Sequence, residues 1–336
     1  MVPAVLTGLA FDDPALEASV RADLQRVEAR LRDASVSNYG FLDETAHHLS
    51  EAGGKRFRSL VTLLAAHAAV DLQAGAAPEP VLGAAVAIEL THLSTLYHDD
   101  VMDEATMRRG AQSVNARWDN TIAILTGDFL FAHASRLVSE LGTDAARIIA
   151  ETFGELVTGQ MRETVGPDDG EDPVDHYLSV IAQKTGSLIA TCGRFGGMVS
   201  EAEPEHVAAL CRFGDIIGTA FQISDDIIDI ASPSDESGKT PGTDLREGVR
   251  TLPMLYALAD PGTDPRLTEL LAGPIAEDKL VDEALELLRA SSGLDRAMAT
   301  LSDYALRARA ELSALPASSA RDACESVADY LVARTR

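Results

Sequence analysis

Almost every stretch of this chain repeats its apolar residues at three- and four-residue steps. None sustains a two-residue alternation rich in β-branched side chains. The first pattern gathers apolar residues on one face of a helix, whereas a half-buried strand needs the second. Leu16, Val20, Leu24, Val27 and Leu31 form one such stripe after Asp13-Pro14. Proline in a first helical turn forfeits no needed hydrogen bond. Further helices are predicted over about 59–71, 80–104, 117–140, 143–164, 173–200, 204–230 and 246–259, with shorter ones near 264–272, 277–290, 294–313 and 317–334. Segments 81–97 and 205–230 are apolar or small on most faces, a pattern that belongs in the middle of a large bundle. Residues 74–80, 166–173 and 232–248 collect Gly, Pro and Asp and read as loops, the last as a mobile flap. No shift in composition divides the chain. The expectation is an all-α fold, a large single-domain helical bundle over residues 1–336.

Composition narrows the partners. The 336 residues carry 28 basic and 53 acidic side chains, a formal charge of −25. That excludes a general nucleic-acid binder and argues against docking on an anionic membrane. Any anion must be met at a local basic site or through divalent cations. Cys192, Cys211 and Cys324 show no CxxC spacing and read as thiols of a reducing compartment. The N-terminus lacks a basic region before its apolar stretch, so no signal peptide is expected. No stable membrane insertion is expected either, since no run approaches the ~18 apolar residues a span needs. The expected location is cytoplasmic.

One pattern occurs twice, each time closing an apolar helix: Asp99-Asp100-Val101-Met102-Asp103 and Asp225-Asp226-Ile227-Ile228-Asp229. With 30 aspartates among 336 residues, chance supplies such a motif about 0.24 times. Helical pitch puts Asp99 with Asp103, and Asp225 with Asp229, on shared faces. Like charges so placed repel, and the natural compensation is a hard divalent cation. Mg2+ takes one or two carboxylates and completes its shell with water and substrate phosphate. Basic residues lie close in sequence. Gly53-Gly54-Lys55-Arg56-Phe57-Arg58 offers flexible backbone and cations at a helix start, and Arg108-Arg109-Gly110 follows Asp103. The combination suggests two anionic substrates, one held through metal and one held directly.

These motifs resemble the trans-isoprenyl diphosphate synthases (polyprenyl synthetases), most closely the bacterial long-chain all-trans enzymes. The likeness covers nearly the whole chain. It runs through 53–58, Glu89 to Asp103, Met107 to Gly110, Gly127-Asp128, Lys184-Thr185-Gly186, Phe221 to Asp229, and Gly238-Lys239 through Gly248 to Pro253. The resemblance implies an all-α bundle around a deep central cavity, its mouth flanked by the two motifs, in a homodimer. It also implies that Asp99, Asp100, Asp103, Asp225, Asp226 and Asp229 hold three Mg2+ on an allylic diphosphate. Lys55, Arg58, His92 and Arg109 match an isopentenyl diphosphate site, and Arg108 an allylic diphosphate contact. Lys184, Thr185, Gln222 and Lys239 match residues around the ionising carbon and its leaving group. Ser59 stands where many members have proline, a helix-opening position that puts little in doubt.

The implied reaction joins isopentenyl diphosphate to geranyl, farnesyl or geranylgeranyl diphosphate by ionisation, condensation and elimination. No protein general base is evident, so the released diphosphate is the expected proton acceptor. Before Asp99, positions Thr95, Ser94, Thr91, Ala87, Ala84 and Gly83 are all small, with no aromatic blocking them. An open path along that wall predicts a product of about eight to ten isoprene units (about C40–C50), at a helix rise near 1.5 Å per residue. Such a product suits a quinone side chain. If the small residues serve only close helix packing, the alternative is geranylgeranyl or farnesyl diphosphate. A non-catalytic partner subunit would be free to lose acids or bases, and all are present here. A terpene cyclase has no second diphosphate and no need of Lys55, Arg58 and Arg109.

Overall fold

The computed structural model describes residues 9–70, 72, 75–231 and 241–335. The chain is all-α. Its helices are α1 (Pro14–Ala34), α2 (Gly40–Glu51), α3 (Phe57–Ala69), α4 (Glu79–Met102), α5 (Val114–Arg117), α6 (Asn120–Glu140), α7 (Thr143–Val165) and α8 (Pro173–Ile181). They continue with α9 (Ser187–Met198), α10 (Pro204–Ala231), α11 (Thr243–Glu247), α12 (Leu252–Ala259), α13 (Pro265–Leu270), α14 (Asp278–Arg289), α15 (Ser292–Leu312) and α16 (Ser319–Ala333). The strands are β1 (Met107–Arg108) and β2 (Ala111–Gln112), an antiparallel pair. Two compact units form. The first holds Met1–Thr152, Thr191–Cys211 and Leu312–Ser326; the second holds Phe153–Ala190, Arg212–Glu311 and Val327–Arg336.

In the first unit, Asp13 caps α1 by accepting from the Ala15 and Leu16 amides, and the Leu16-to-Leu31 stripe is buried. Helix α4 is buried on most of its circumference, as its sequence demanded. Its small residues have a definite neighbour. Gly83, Ala87, Thr91, Ser94 and His98 share one face by helical pitch. At one end of that face, His98 lies so close over Gly127 of α6 that no Cβ would fit. At the other, Gly83 faces Leu141, the residue ending α6, 3.8 Å from where a Cβ would stand. The stripe is therefore the α4–α6 seam, where small side chains let two backbones approach. Along the expected path Ser94, Thr91, Ala87 and Ala84 have no exposed surface, while Thr95 keeps 7%. Among the described residues, α6 is the one helix long and apolar enough to cross a membrane by length and composition. Its contact with α4 accounts for an apolar face.

In the second unit, the predicted helix 173–200 is interrupted by a π-helical segment, Ala182–Gly186. Such single wide turns inside helices recur at functional sites. A Cβ on Gly214 or Gly218 of α10 would collide with the backbone of Ile189 or Gly186, so α10 packs tightly there. The predicted flap 232–248 lies outside the described residues up to 240, and its far end carries α11.

The sequence reading missed α2 and the β1–β2 hairpin. Both elements are short, and the hairpin's two-residue strands leave no room for an alternating pattern to register.

Candidate active site

In the first unit the site is built where α4 ends. Asp103 caps the helix, with Asp99 one turn earlier on the same face. Asp100 points the other way and is fully buried. Its Oδ1 accepts a 2.6 Å hydrogen bond from Arg108 Nε, while Arg108 Nη2 lies 3.6 Å from Asp103 Oδ2. The hairpin aims this arginine. Arg109 and Gly110 take φ of +55° and +75°, a two-residue turn with both central residues left-handed. Such a turn matches the strands' twist and folds the chain sharply back. Burial raises the Asp100 pKa in spite of Arg108, and Asp100 Oδ2 has no hydrogen-bond partner. Reading the acids alone found no counter-charge for them; the fold supplies Arg108.

The turn also sends Arg109 across to the last turn of α2 and the loop after it, where Nη1 donates to the carbonyls of Leu49, at 3.1 Å, and Gly53. A Cβ on Gly54 would stand about 3 Å from both the Arg56 and Arg109 guanidiniums, so glycine makes room for two cations to pass. The three cations of the 53–58 segment separate by depth. Lys55 is exposed, ahead of α3 rather than on it; Arg58 is half-buried; Arg56 turns inward onto Glu28 and the Ser50 carbonyl. Burial lowers the Arg109 pKa to about 10. The His92 pKa lies well below the usual imidazole value, first through burial, then through Arg58, Arg109, Arg56 and Arg108. His92 is therefore a neutral imidazole among arginines at pH 7.

The second unit gathers the second motif with residues of the π segment. Gln222 Nε2 donates to Asp226 Oδ1 at 3.0 Å, the Tyr177 hydroxyl donates to Asp226 Oδ2, and Thr185 Oγ1 donates to Gln222 at 3.5 Å. Burial first of all, then the charges of Asp225 and Asp229, raise the Asp226 pKa to about 7. Asp229 accepts from the Thr243 and Asp244 amides at the start of α11, both at 3.2 Å. Lys184 pairs with Glu163 on α7. Lys239 lies outside the described residues.

The family model for polyprenyl synthetase matches residues 40–288. The chain belongs to the polyprenyl synthetase family. It is 54% identical over 332 residues to a nonaprenyl diphosphate synthase of Mycobacterium tuberculosis, covering 98% of each chain. It is 44% identical to a dimethylallyltranstransferase of the same organism, covering 99% of each. It is also similar to a solved geranylgeranyl pyrophosphate synthase of Corynebacterium glutamicum complexed with calcium and isoprenyl diphosphate. There the TM-score is 0.85 and the identity 49%, covering 97% of this chain and 99% of that one.

Within this polyprenyl synthetase the donor set suits a hard divalent cation that shares its shell with substrate. Among the described residues no three acidic, histidine or cysteine side chains stand close enough to hold a metal alone. The Asp100 oxygen that is buried without a partner is an acceptor in need of one.

Two supporting residues carried no role in the sequence reading. Glu89, buried, accepts from the Ser59 amide at 3.2 Å and the Ser59 hydroxyl at 3.1 Å, and its charge acts on Arg56 and Arg109. Its signal was present: three residues before His92, it shares that face. Ser59 offers Glu89 an amide donor that proline would lack. Tyr177 left no such signal, since 49 positions separate it from Asp226.

Proposed function

We propose that this polyprenyl synthetase is a prenyltransferase condensing isopentenyl diphosphate with an allylic diphosphate to give a long all-trans polyprenyl diphosphate. The observation that carries the reading is the gathering of Arg58, Arg108 and Arg109 around a neutral His92, on the helix that ends in Asp99 and Asp103. A chain with charge −25 that concentrates cations beside carboxylates is built to hold an anion there.

Asp99, Asp100, Asp103, Asp225, Asp226 and Asp229 would hold Mg2+, Asp100 and Asp226 from buried positions. When bound, the metal supplies charge neutralisation for a departing diphosphate. Lys55, Arg58, Arg109 and His92 hold and orient isopentenyl diphosphate, converting a bimolecular encounter into a positioned one. Arg108 and Lys184 stabilise negative charge as it grows on the leaving group. Gln222 and Thr185 present amide and hydroxyl dipoles to the ionising carbon. Lys239 joins the leaving-group contacts. Apolar helix walls would exclude water from a reactive cation.

The relative named nonaprenyl diphosphate synthase supports a product near nine isoprene units. A geranylgeranyl product is the second reading. The similarity to a geranylgeranyl pyrophosphate synthase structure is what supports it. We read the protein as a cytoplasmic homodimer with residues 1–336 acting as one domain. Incubation with labelled isopentenyl diphosphate and farnesyl diphosphate, with and without chelator, followed by product chromatography, tests the activity and separates the two lengths. No incorporation with Mg2+ present would overturn the reading.

A further inference from the structure

Arg334 lies just past the end of α16, at the last turn of the described chain, and nothing in its sequence context marks it. Its side chain is only 8% exposed. Nη1 stands 2.9 Å from Asp225 Oδ1, an ion pair outside hydrogen-bond alignment. Nε donates to Ser224 Oγ at 2.7 Å, and Nη2 donates to the Phe221 carbonyl at 2.9 Å. The guanidinium also lies over the Phe221 ring, 4.5 Å from its centroid. Ser224 Oγ in turn donates to the Leu331 carbonyl at 2.9 Å, closing a loop between α10 and α16.

We infer that Arg334 is a positioning residue for the second aspartate motif. Each carboxylate there has its own protein partner: Asp226 has Tyr177 and Gln222, Asp229 has the start of α11, and Asp225 has Arg334. The hydroxyl, amide and backbone groups just named on Asp226 and Asp229 are neutral. Arg334 is a cation, and it engages one oxygen of Asp225, leaving the other to a ligand. Its fork simultaneously fixes the backbone carbonyl at 221 and the hydroxyl at 224, so the stretch of α10 that carries Asp225 cannot rotate independently. A planar, always-charged guanidinium does both jobs at once; an ammonium does one. Three carboxylates within five residues repel one another, and without Arg334 Asp225 swings away from them toward water. The C-terminal turn thus helps set the geometry in which a metal–diphosphate complex is received.

This inference rests on the second motif binding Mg2+ and diphosphate, and its test reads that binding without turnover. Inorganic diphosphate is titrated calorimetrically into the full chain at saturating Mg2+, for wild type, Arg334→Gln and Arg334→Lys. Arg334→Gln should weaken binding roughly 10-fold or more, the scale on which groups supporting metal ligands act. Its KM for isopentenyl diphosphate should stay within about 2-fold, because that site uses other residues. Arg334→Lys should restore part of the loss. A lowered melting temperature with diphosphate affinity unchanged would make Arg334 a clasp for the tail and overturn the inference. If Arg334→Gln does not fold, Arg334→Lys decides alone: weaker Mg2+-dependent binding supports positioning, and wild-type affinity overturns it. A wild-type chain that binds no Mg2+–diphosphate would instead overturn the proposed site, and the same titration shows which has failed.

Discussion

Arg108 Nε lies 2.6 Å from Asp100 Oδ1, and Asp100 exposes none of its side chain to solvent. Removing one partner from a buried pair strands the other charge. Arg108→Ala should cost about 3 kcal/mol of stability. Pairing it with Asp100→Asn should recover much of the loss, since no buried charge is then left alone. Urea denaturation of the two single variants and the double variant measures the coupling. Strictly additive losses would show that the pair contributes nothing.

The metal assignment predicts loss of activity with chelator and its return with Mg2+. Asp99→Ala and Asp225→Ala should each lower kcat by about 10²-fold or more, the scale of losing one contact to developing charge. Near-normal turnover in either variant contradicts it.

Arg58→Ala or Lys55→Ala should raise the KM for isopentenyl diphosphate more than that for the allylic substrate. A charge-assisted contact is worth roughly 1.5–3 kcal/mol. Should the allylic KM move instead, the two diphosphate sites are exchanged. Steady-state kinetics with each substrate varied in turn decides it.

His92 carries a pH signature. Its folded pKa is depressed below the ordinary value, by burial first and then by the arginines. Unfolding therefore takes up a proton below about pH 6.5, so the stability present above that pH is lost as pH falls. Stability measured between pH 7.5 and 5 should fall less steeply in His92→Gln than in wild type. Equal slopes would mean that His92 is not held neutral. As a neutral donor it should also tolerate this change, with KM for isopentenyl diphosphate within about 10-fold, one contact's worth.

Ser94→Phe separates the two readings of the small-residue stripe. On the α4–α6 seam it overpacks and should cost about 1–3 kcal/mol with product length unchanged. A shortened product in a stably folded variant would put the growing tail on this face after all. Product chromatography beside thermal denaturation distinguishes them.

Much of the candidate site is legible in the sequence. The Asp99–Asp103 and Asp225–Asp229 spacing, the glycines before Lys55, and His92 on the Asp99 face are all local patterns. Helical pitch turns such patterns directly into neighbours. The all-α class followed from periodicity in the same way. Less visible were the elements too short to show a period, the hairpin at 107–112 above all, whose shape depends on two left-handed residues.

What the sequence determined by itself, then, is the fold class and which residues share a helix face, because both follow from contacts within about one turn. Only tertiary structure decided which acids are braced and by what. Arg108 reaches Asp100 through a hairpin, Tyr177 reaches Asp226 across 49 positions, and Arg334 reaches Asp225 from the end of the chain. It also decided that the small residues of α4 meet α6. A stripe of small side chains reads the same whether it lines a channel or a helix seam. The difference lies in what packs against it, which no local pattern records.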